Sequence, residues 1–447
     1  MKTTRRGFLV GCSAAVASYA GSAFNTVAFG DPNANQEILV VIFLRGGIDG
    51  LSLIPPIAGA DRGHYEAARP NLRIPTSGAG AALPLNAQFG IHPSAAPLRE
   101  LFQSNKLSIV HGVGMSTVIN KSHFDAMQFV ELGTPGSKSM TTGWLTRHLQ
   151  TASNLPASMV MPSLAVGDLQ PVSLAGSGET VNMQDPESFN VANGPWHWRS
   201  QQKATLRSLY ESDNSWLHAG GVQAMNAVDI VEGAVTDPYL PSNGAVYPDT
   251  PFAQQLKVLA QMIKLNLGLQ VATIDFGGWD THESQGNNGA EGYFSTQIGD
   301  LAAGLMAFYT DLDGAGADNY TDRLTVVTQS EFGREVHENN DEGTEHGYGN
   351  NLLVLSGNAT GGFHGQWPGL APGQLVDGTD VAVTTDFRQV ISEILIRRMC
   401  NPSLETIFPG YSGYTPLGVV QGADIQPAAI FADGFEGGTL GAWSSST

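Results

Sequence analysis

The residues that decide the fold are Ile38-Leu39-Val40-Val41-Ile42-Phe43-Leu44, an unbroken run of apolar side chains. A run without polar alternation is typical of a strand buried on both faces of a parallel sheet. Arg45-Gly46-Gly47-Ile48-Asp49 follows directly, so that glycines and charged groups mark the end of the run. The stretch therefore predicts a central β-strand with polar side chains just beyond its carboxyl end.

Similar apolar runs, separated by helical patterns, predict further elements along the chain. The predicted strands cover residues 107–113, 269–275, 324–328 and 351–355, and helices with apolar residues at three- and four-residue spacing cover about 251–266, 291–312 and 386–398. This alternation indicates an α/β fold with a mostly parallel central sheet flanked by helices. Residues 151–250 are less regular, with helices near 201–213 and 217–232, and we expect them to form a small irregular cap region.

The two ends of the chain differ from its middle. Thr4-Arg5-Arg6-Gly7-Phe8-Leu9, followed by small and apolar residues to about Phe29, resembles a twin-arginine export signal. We therefore expect residues 1–30 to be a removable signal peptide, 37–420 to be the α/β domain and 421–447 to be a flexible tail. This signal implies a periplasmic or secreted protein. Beyond it, no apolar run approaches the roughly 20 residues that a membrane span requires, which predicts no integral membrane segment after signal removal.

Charge and cysteine content narrow the classes of partner. The formal net charge is −19, from 22 basic and 41 acidic residues, which argues against binding to nucleic acid or to an anionic membrane. Such an acidic excess suits either simple solubility or binding of divalent cations. Of the two cysteines, Cys12 lies in the leader, so the mature chain retains Cys400 alone and forms no internal disulfide.

Polar side chains recur where the predicted strands end. They are Asp49 after the first strand, Ser122-His123 after the second, Asp280 and His282 after the third, Ser330-Glu331 after the fourth, and His346 before the fifth. Because ligands bind beyond the carboxyl ends of parallel strands, we expect these groups to meet in one cleft. A mixed set of carboxylates and imidazoles suits zinc, manganese or magnesium, singly or as a pair, and calcium remains open.

Each of these residues also has a structural interpretation. Asp49 between glycines is compatible with a turn, and Asp280-Thr281-His282 with a helix cap. Glu331 has Arg334 as a potential salt-bridge partner, and a loop histidine such as His346 is more often solvated than bound to metal. His337 is close enough in sequence to Glu331 to be an alternative ligand. Convergence of the whole set is what favours a site.

Several short blocks of sequence carry a likeness to a known family. The blocks are Phe43 to Leu51, Ser122-His123-Phe124, Thr142-Gly143-Trp144-Leu145, Gly277 to His282, Ser330 to Arg334, and His346-Gly347. Together they resemble one exported bacterial family, named only as domain of unknown function 1501. They occur in the same order and span roughly residues 37 to 400. The resemblance implies membership of the alkaline phosphatase and sulfatase superfamily, and hence a metal-bearing α/β sandwich.

The resemblance also implies roles for individual residues. Asp49 would match the metal aspartate after the first strand, and Ser122 would occupy the nucleophile position at a helix N-terminus. Asp280 and His282 would stand near a second aspartate–histidine pair, Ser330-Glu331 would align with an adjacent aspartate–histidine pair, and His346 would be the last histidine ligand. Alkaline phosphatases have aspartate and histidine side by side where this chain has Ser330-Glu331, so metal binding is better supported than the phosphatase mechanism.

Two function classes follow from this interpretation. The first is a metal-dependent hydrolase of phosphate or sulfate esters, or a related transferase, acting on a small-molecule or polymeric anionic ester. Its metal ligands would be Asp49, Asp280, His282, Glu331 and His346, its catalytic residues Ser122 and His123, and its anion-binding residues Arg45 and Arg334. The second is a non-catalytic envelope protein that keeps the fold, binds metal and recognises a partner protein or polymer. A redox enzyme is disfavoured because the sequence has no dinucleotide fingerprint and no haem motif.

Overall fold

A computed structural model of the chain describes residues 35–153, 155, 159–191, 195–235, 237–286 and 291–425. The predicted export signal, and the predicted tail beyond residue 425, lie outside these residues. Within the described ranges, no helix has both the length and the apolar character needed to cross a lipid bilayer.

The predicted central strand forms over the expected residues. It is β1 (Ile38–Leu44), and all seven of its residues are buried. The other strands are β2 (Leu83–Pro84), β3 (Gly90–Ile91), β4 (Leu107–Gly114), β5 (Ser163–Val166), β6 (Thr180–Met183), β7 (Val271–Phe276), β8 (Leu324–Gln329), β9 (Arg334–Glu338), β10 (Thr344–His346), β11 (Asn350–Ser356), β12 (Gly362–His364) and β13 (Thr385–Asp386).

Nine of these strands form one sheet in the order β12-β4-β11-β8-β1-β7-β5-β6, with β13 beside β4. β1 lies between β7 and β8 and is parallel to both. β11 runs antiparallel to β4 and β8, whereas the other pairs in the sheet are parallel. The predicted α/β class with a mostly parallel sheet is confirmed.

Helices cover both faces of this sheet. They are α1 (Gly50–Leu53), α2 (Gly59–Ala68), α3 (Ala96–Gln103), α4 (His123–Leu132), α5 (Trp144–Thr151), α6 (Arg199–Tyr210), α7 (Trp216–Ala234), α8 (Pro251–Lys264), α9 (Tyr293–Leu312), α10 (Phe387–Arg397) and α11 (Leu404–Ile407). Val40 and Ile42 pack in one core with α3, α8 and α9, whereas Leu39 and Val41 pack in the other with α4, α5 and α10. Alternate side chains of β1 therefore enter opposite cores, as its unbroken apolar sequence requires.

The segment predicted as an irregular cap contributes to the sheet. β5 and β6 extend the sheet beyond β7, each with only four residues. Such short strands lack the long apolar run that identifies β1, and they were not predicted for this reason. The two helices predicted in this segment form as α6 and α7, close to the expected bounds.

Candidate metal centre

The loops that follow β1 and β7 run against each other at the carboxyl edge of the sheet. The backbone N–H of Arg45 donates to the carbonyl of Phe276, and that of Trp279 donates to the carbonyl of Arg45. Gly46 has φ +122°, and a Cβ there would lie 2.3 Å from the backbone nitrogen of Asp280. Only glycine fits this close approach, which brings Asp280 to the edge of the central strand.

Three of the predicted polar side chains converge at this edge. His123 begins α4, Asp280 follows β7 and His346 ends β10, and their candidate ligand atoms all lie within 4.8 Å of one another. Nε2 of His346 is 3.2 Å from Oδ1 of Asp280, and Nε2 of His123 is 3.4 Å from Oδ2. The sequence expectation that residues from separate strands meet at one place therefore applies to these three residues.

The hydrogen bonds behind the two rings determine which nitrogen faces the cluster. Nδ1 of His123 is 2.8 Å from Oε1 of Glu331, and Nδ1 of His346 is 2.8 Å from the backbone carbonyl of Lys121. A carbonyl or an ionised carboxylate only accepts, so both Nδ1 atoms carry the proton. In the neutral rings, Nε2 then presents a lone pair towards the carboxylate of Asp280, an arrangement that requires a cation, either a proton or a metal ion.

An unpartnered nitrogen marks the same place. Nε2 of His123 is buried and has no hydrogen-bond partner among the described residues, although it lies near Asp280. The hydrogen bond that His123 donates to Glu331 raises the pKa of His123 above its usual value and outweighs burial, which lowers it. The pKa of His346 is lowered, chiefly by burial, so the neutral ring that a metal needs is favoured there.

A third imidazole lies beside this group. Nε2 of His282 is 2.8 Å from Nε2 of His346 and 3.2 Å from Oδ1 of Asp280. Its Nδ1 is 2.8 Å from Oε2 of Glu345, so this ring too is held from behind by a carboxylate. Three imidazole Nε2 atoms therefore surround one carboxylate.

Arg334 contacts Asp280 from the buried side of the cluster. Its side chain is fully buried and donates to Oδ1 of Asp280 at 2.7 Å, and to the carbonyls of Gly46, Gly47, Thr344 and Trp279. Burial raises the pKa of Asp280, but the hydrogen bond from Arg334 and the neighbouring imidazoles of His346 and His123 outweigh it and lower the pKa to about 2. The carboxylate is therefore ionised at neutral pH. Arg334, expected to contact an anionic substrate, is instead committed to the loops around the cluster.

Glu331, expected to bind metal, lies one layer behind the cluster. Its side chain is fully buried, and Oε1 accepts from His123 and from the backbone N–H of Gly46 at 2.8 Å. Oε2 accepts from the hydroxyl of Ser330. The structure therefore places Glu331 as the partner that orients the His123 ring, a position that commonly supports a metal-bound histidine.

Asp49, also expected to bind metal, lies in a separate buried network. Its carboxylate accepts from Arg69 at 2.6 and 3.1 Å, from the hydroxyl of Ser52 at 2.7 Å and from Gln285 at 2.7 Å. Burial raises the pKa of Asp49, but the charge and hydrogen bonds of Arg69 lower it by more, so the net shift is downwards. Asp49 also caps α1 and is not brought into the group formed with Asp280.

The remaining predicted residues lie around the cluster. Ser122 is exposed at the N-cap of α4, next to His123, and its hydroxyl makes no capping hydrogen bond. Arg45 is paired with Glu131 at 3.2 Å and with Asp275 at 2.9 Å, so its guanidinium is already neutralised. His337, the alternative ligand, is exposed on β9 and is not in the group of converging ligand atoms.

Sequence reasoning did not assign His123 to the metal-ligand set or identify the groups behind the rings. The carbonyl of Lys121 has no sequence signal, because any residue supplies one. Glu345 lies one residue before His346 and reaches His282 only through the hairpin of β9 and β10. The signal that was available for His123 was its position after a parallel strand, the same signal that identified Asp280.

Comparison with known proteins identifies a family over part of the chain. A family model described as "Protein of unknown function (DUF1501)" matches residues 198–397. The chain is thus similar to that family over a range that contains Asp280, His282, Glu331, Arg334 and His346, and the expected resemblance is confirmed there. A search of curated proteins found no significant match.

Proposed function

We propose that this protein binds one divalent metal ion between His123, Asp280 and His346, and hydrolyses phosphate or sulfate esters there. The observation that carries the proposal is the direction of the histidine lone pairs. Both rings are held at Nδ1 by acceptors, and both Nε2 atoms face an ionised carboxylate. A set with two imidazole nitrogens suits zinc better than magnesium or calcium, which prefer oxygen ligands.

Hydrolysis requires a polarised ester and a nucleophile at the same place. The ion, when bound, would polarise the ester oxygen and lower the pKa of a water molecule. His123 and His346 would hold it through Nε2, while Asp280 supplies the negative charge and Arg334 fixes that carboxylate. Ser122 supports a second route, because its exposed hydroxyl lies at the first turn of α4, where backbone N–H groups favour an anion.

The place of action and the superfamily are parts of the same proposal. The Arg5-Arg6 leader supports export by the twin-arginine route to the periplasm or beyond, a route often used by proteins that fold around a metal first. The mostly parallel sheet, with its polar groups at the carboxyl edge, is compatible with an alkaline phosphatase-like or sulfatase-like protein.

A second candidate is a non-catalytic metal-binding envelope protein that recognises a partner protein or polymer. The observation in its favour is that both arginines expected to contact an ester anion are engaged elsewhere. Arg334 is buried among backbone carbonyls, and Arg45 is paired with Glu131 and Asp275. A catalytic centre for anionic esters would gain from a cation that is free to contact the substrate.

The test begins with metal content. Protein purified from the periplasm would be analysed for metals and compared with His346→Ala and, as a matched control, with His337→Ala. We expect one ion per chain in the wild type and the control, and a loss of metal in His346→Ala. A panel of aryl phosphates and sulfates then separates the candidates, since turnover supports the hydrolase and bound metal without turnover supports the binding protein. Wild-type protein that takes up no divalent metal would contradict both.

A further inference from the structure

His282 differs from the two other histidines of the cluster in its exposure. The side chain of His282 is 37% exposed, compared with 22% for His123 and 18% for His346. It therefore forms the solvent side of the cluster. The side chain of Asp280 is more exposed still, at 47%, so His282 and Asp280 together face the solvent.

The groups that contact Nδ1 of the three rings also differ in exposure. His123 is held by a fully buried carboxylate and His346 by the backbone carbonyl of Lys121. His282 is held by Glu345, whose side chain is 51% exposed. Asn339 joins the two, because its Nδ2 donates to Glu345 at 2.7 Å and to the carbonyl of His282 at 2.8 Å. The ring and its carboxylate are thus fastened to each other more firmly than to the buried core.

The spacing of the nitrogens indicates competition for space. Nε2 of His282 is 2.8 Å from Nε2 of His346. Two nitrogens so spaced, each about 2.05 Å from one ion, subtend roughly 86°, below the ~109° of a tetrahedral site. Both rings carry their proton on Nδ1, so no hydrogen bond between two neutral rings explains the approach. Both rings can bind a tetrahedral ion only if the two nitrogens move apart, and His282, the more exposed ring, is the one placed to move.

We infer that His282 is an exchangeable fourth ligand of the ion held by His123, Asp280 and His346. At rest it closes the solvent-side position, and it gives up that position to an oxygen of an incoming anion while Glu345 retains the ring. Four protein ligands make a closed site and three make an open one, so this exchange would open the centre. The inference rests on the proposed metal site, and it makes Glu345 a positioning residue.

Cobalt substitution provides a readout that is independent of turnover. Visible absorption of the cobalt-loaded full-length protein reports the coordination number and the ligands, and inorganic phosphate serves as the incoming anion. For His282→Ala we expect one cobalt ion still bound, an altered spectrum before phosphate is added, and a Kd for phosphate about tenfold lower, because no imidazole has to be displaced. His337→Ala, the matched control, should reproduce the wild-type spectrum and Kd.

A second variant keeps the inference testable if His282→Ala does not fold. Glu345→Gln retains an acceptor for Nδ1 but removes the charge that strengthens the imidazole as a ligand, so phosphate should bind a few-fold more tightly. An unchanged spectrum and an unchanged phosphate Kd in His282→Ala would overturn the exchange role alone. Loss of cobalt from folded His282→Ala would show an obligatory ligand, which also overturns it. Wild-type protein without bound cobalt would overturn the proposed function and this inference together.

Discussion

Replacement of Asp49 by asparagine separates a structural carboxylate from a metal ligand. Asp49 and Arg69 are both buried, and the closest contact between them is 2.6 Å. Asparagine keeps the volume of the side chain but leaves the guanidinium of Arg69 uncompensated in the interior. Removing one partner of a buried ion pair costs about 3–5 kcal/mol, so we expect the free energy of unfolding of Asp49→Asn to fall by that amount. Metal stoichiometry should not change, because Asp49 lies outside the cluster.

The assay combines urea unfolding, followed by circular dichroism, with elemental analysis of the same folded samples. Glu66→Gln is the control, because the side chain of Glu66 is 48% exposed and its i,i+4 partner Arg62 also donates to two backbone carbonyls, so the same type of substitution there should cost less than about 1 kcal/mol. Loss of metal from Asp49→Asn with an unchanged unfolding midpoint would refute this reasoning. It would make Asp49 a ligand, as the sequence suggested.

Three further predictions concern the backbone of the site, its supporting shell and the pH dependence of stability. Gly46→Ala should abolish metal binding, measured by elemental analysis, because the new Cβ would collide with the backbone nitrogen of Asp280; full metal content would contradict the close approach. Glu331→Gln should weaken metal affinity about 10- to 100-fold in a chelator competition, because the ring of His123 loses its charged partner, and wild-type affinity would count against that role. Burial raises the pKa of Glu37 to about 7, although Arg398 acts in the opposite direction. The folded chain therefore binds the proton of this carboxyl group more tightly than the unfolded chain does. The contribution of Glu37 to stability is greatest below pH 4.5 and falls by about 3 kcal/mol as pH rises through 7. Glu37→Gln should remove this decline from urea unfolding curves recorded across that range, and an unaltered pH profile would refute it.

The main elements of the fold were predictable because their signals are local. The apolar run of β1 identifies a doubly buried strand within seven residues, and the three- and four-residue spacing of α8 and α9 identifies helices. β5 and β6 were missed because four residues carry too little pattern. The antiparallel direction of β11 was also beyond local reasoning, since it depends on the hairpin of β9 and β10 that precedes it.

The site was predictable in position but only partly in membership. Asp280 was found because a parallel sheet collects the groups that follow its strands, whereas His346 precedes β11 and reaches the same edge because that strand is antiparallel. Asp49 obeys the same rule, yet Arg69, twenty residues further along the chain, neutralises it in the interior. Glu331 likewise reaches the right edge of the sheet but contacts His123 instead of the centre of the cluster. The position of a residue relative to a strand therefore identifies candidate metal ligands. Whether a candidate has a lone pair free to bind metal depends on partners that are distant in the sequence.

A zinc-soaked crystal measured on both sides of the zinc absorption edge tests the central claim most directly. We predict a single anomalous peak within about 2.0–2.2 Å of Nε2 of His123, Nε2 of His346 and a carboxylate oxygen of Asp280. A peak at Asp49, or no peak among these three side chains in a crystal soaked to saturation, would contradict it.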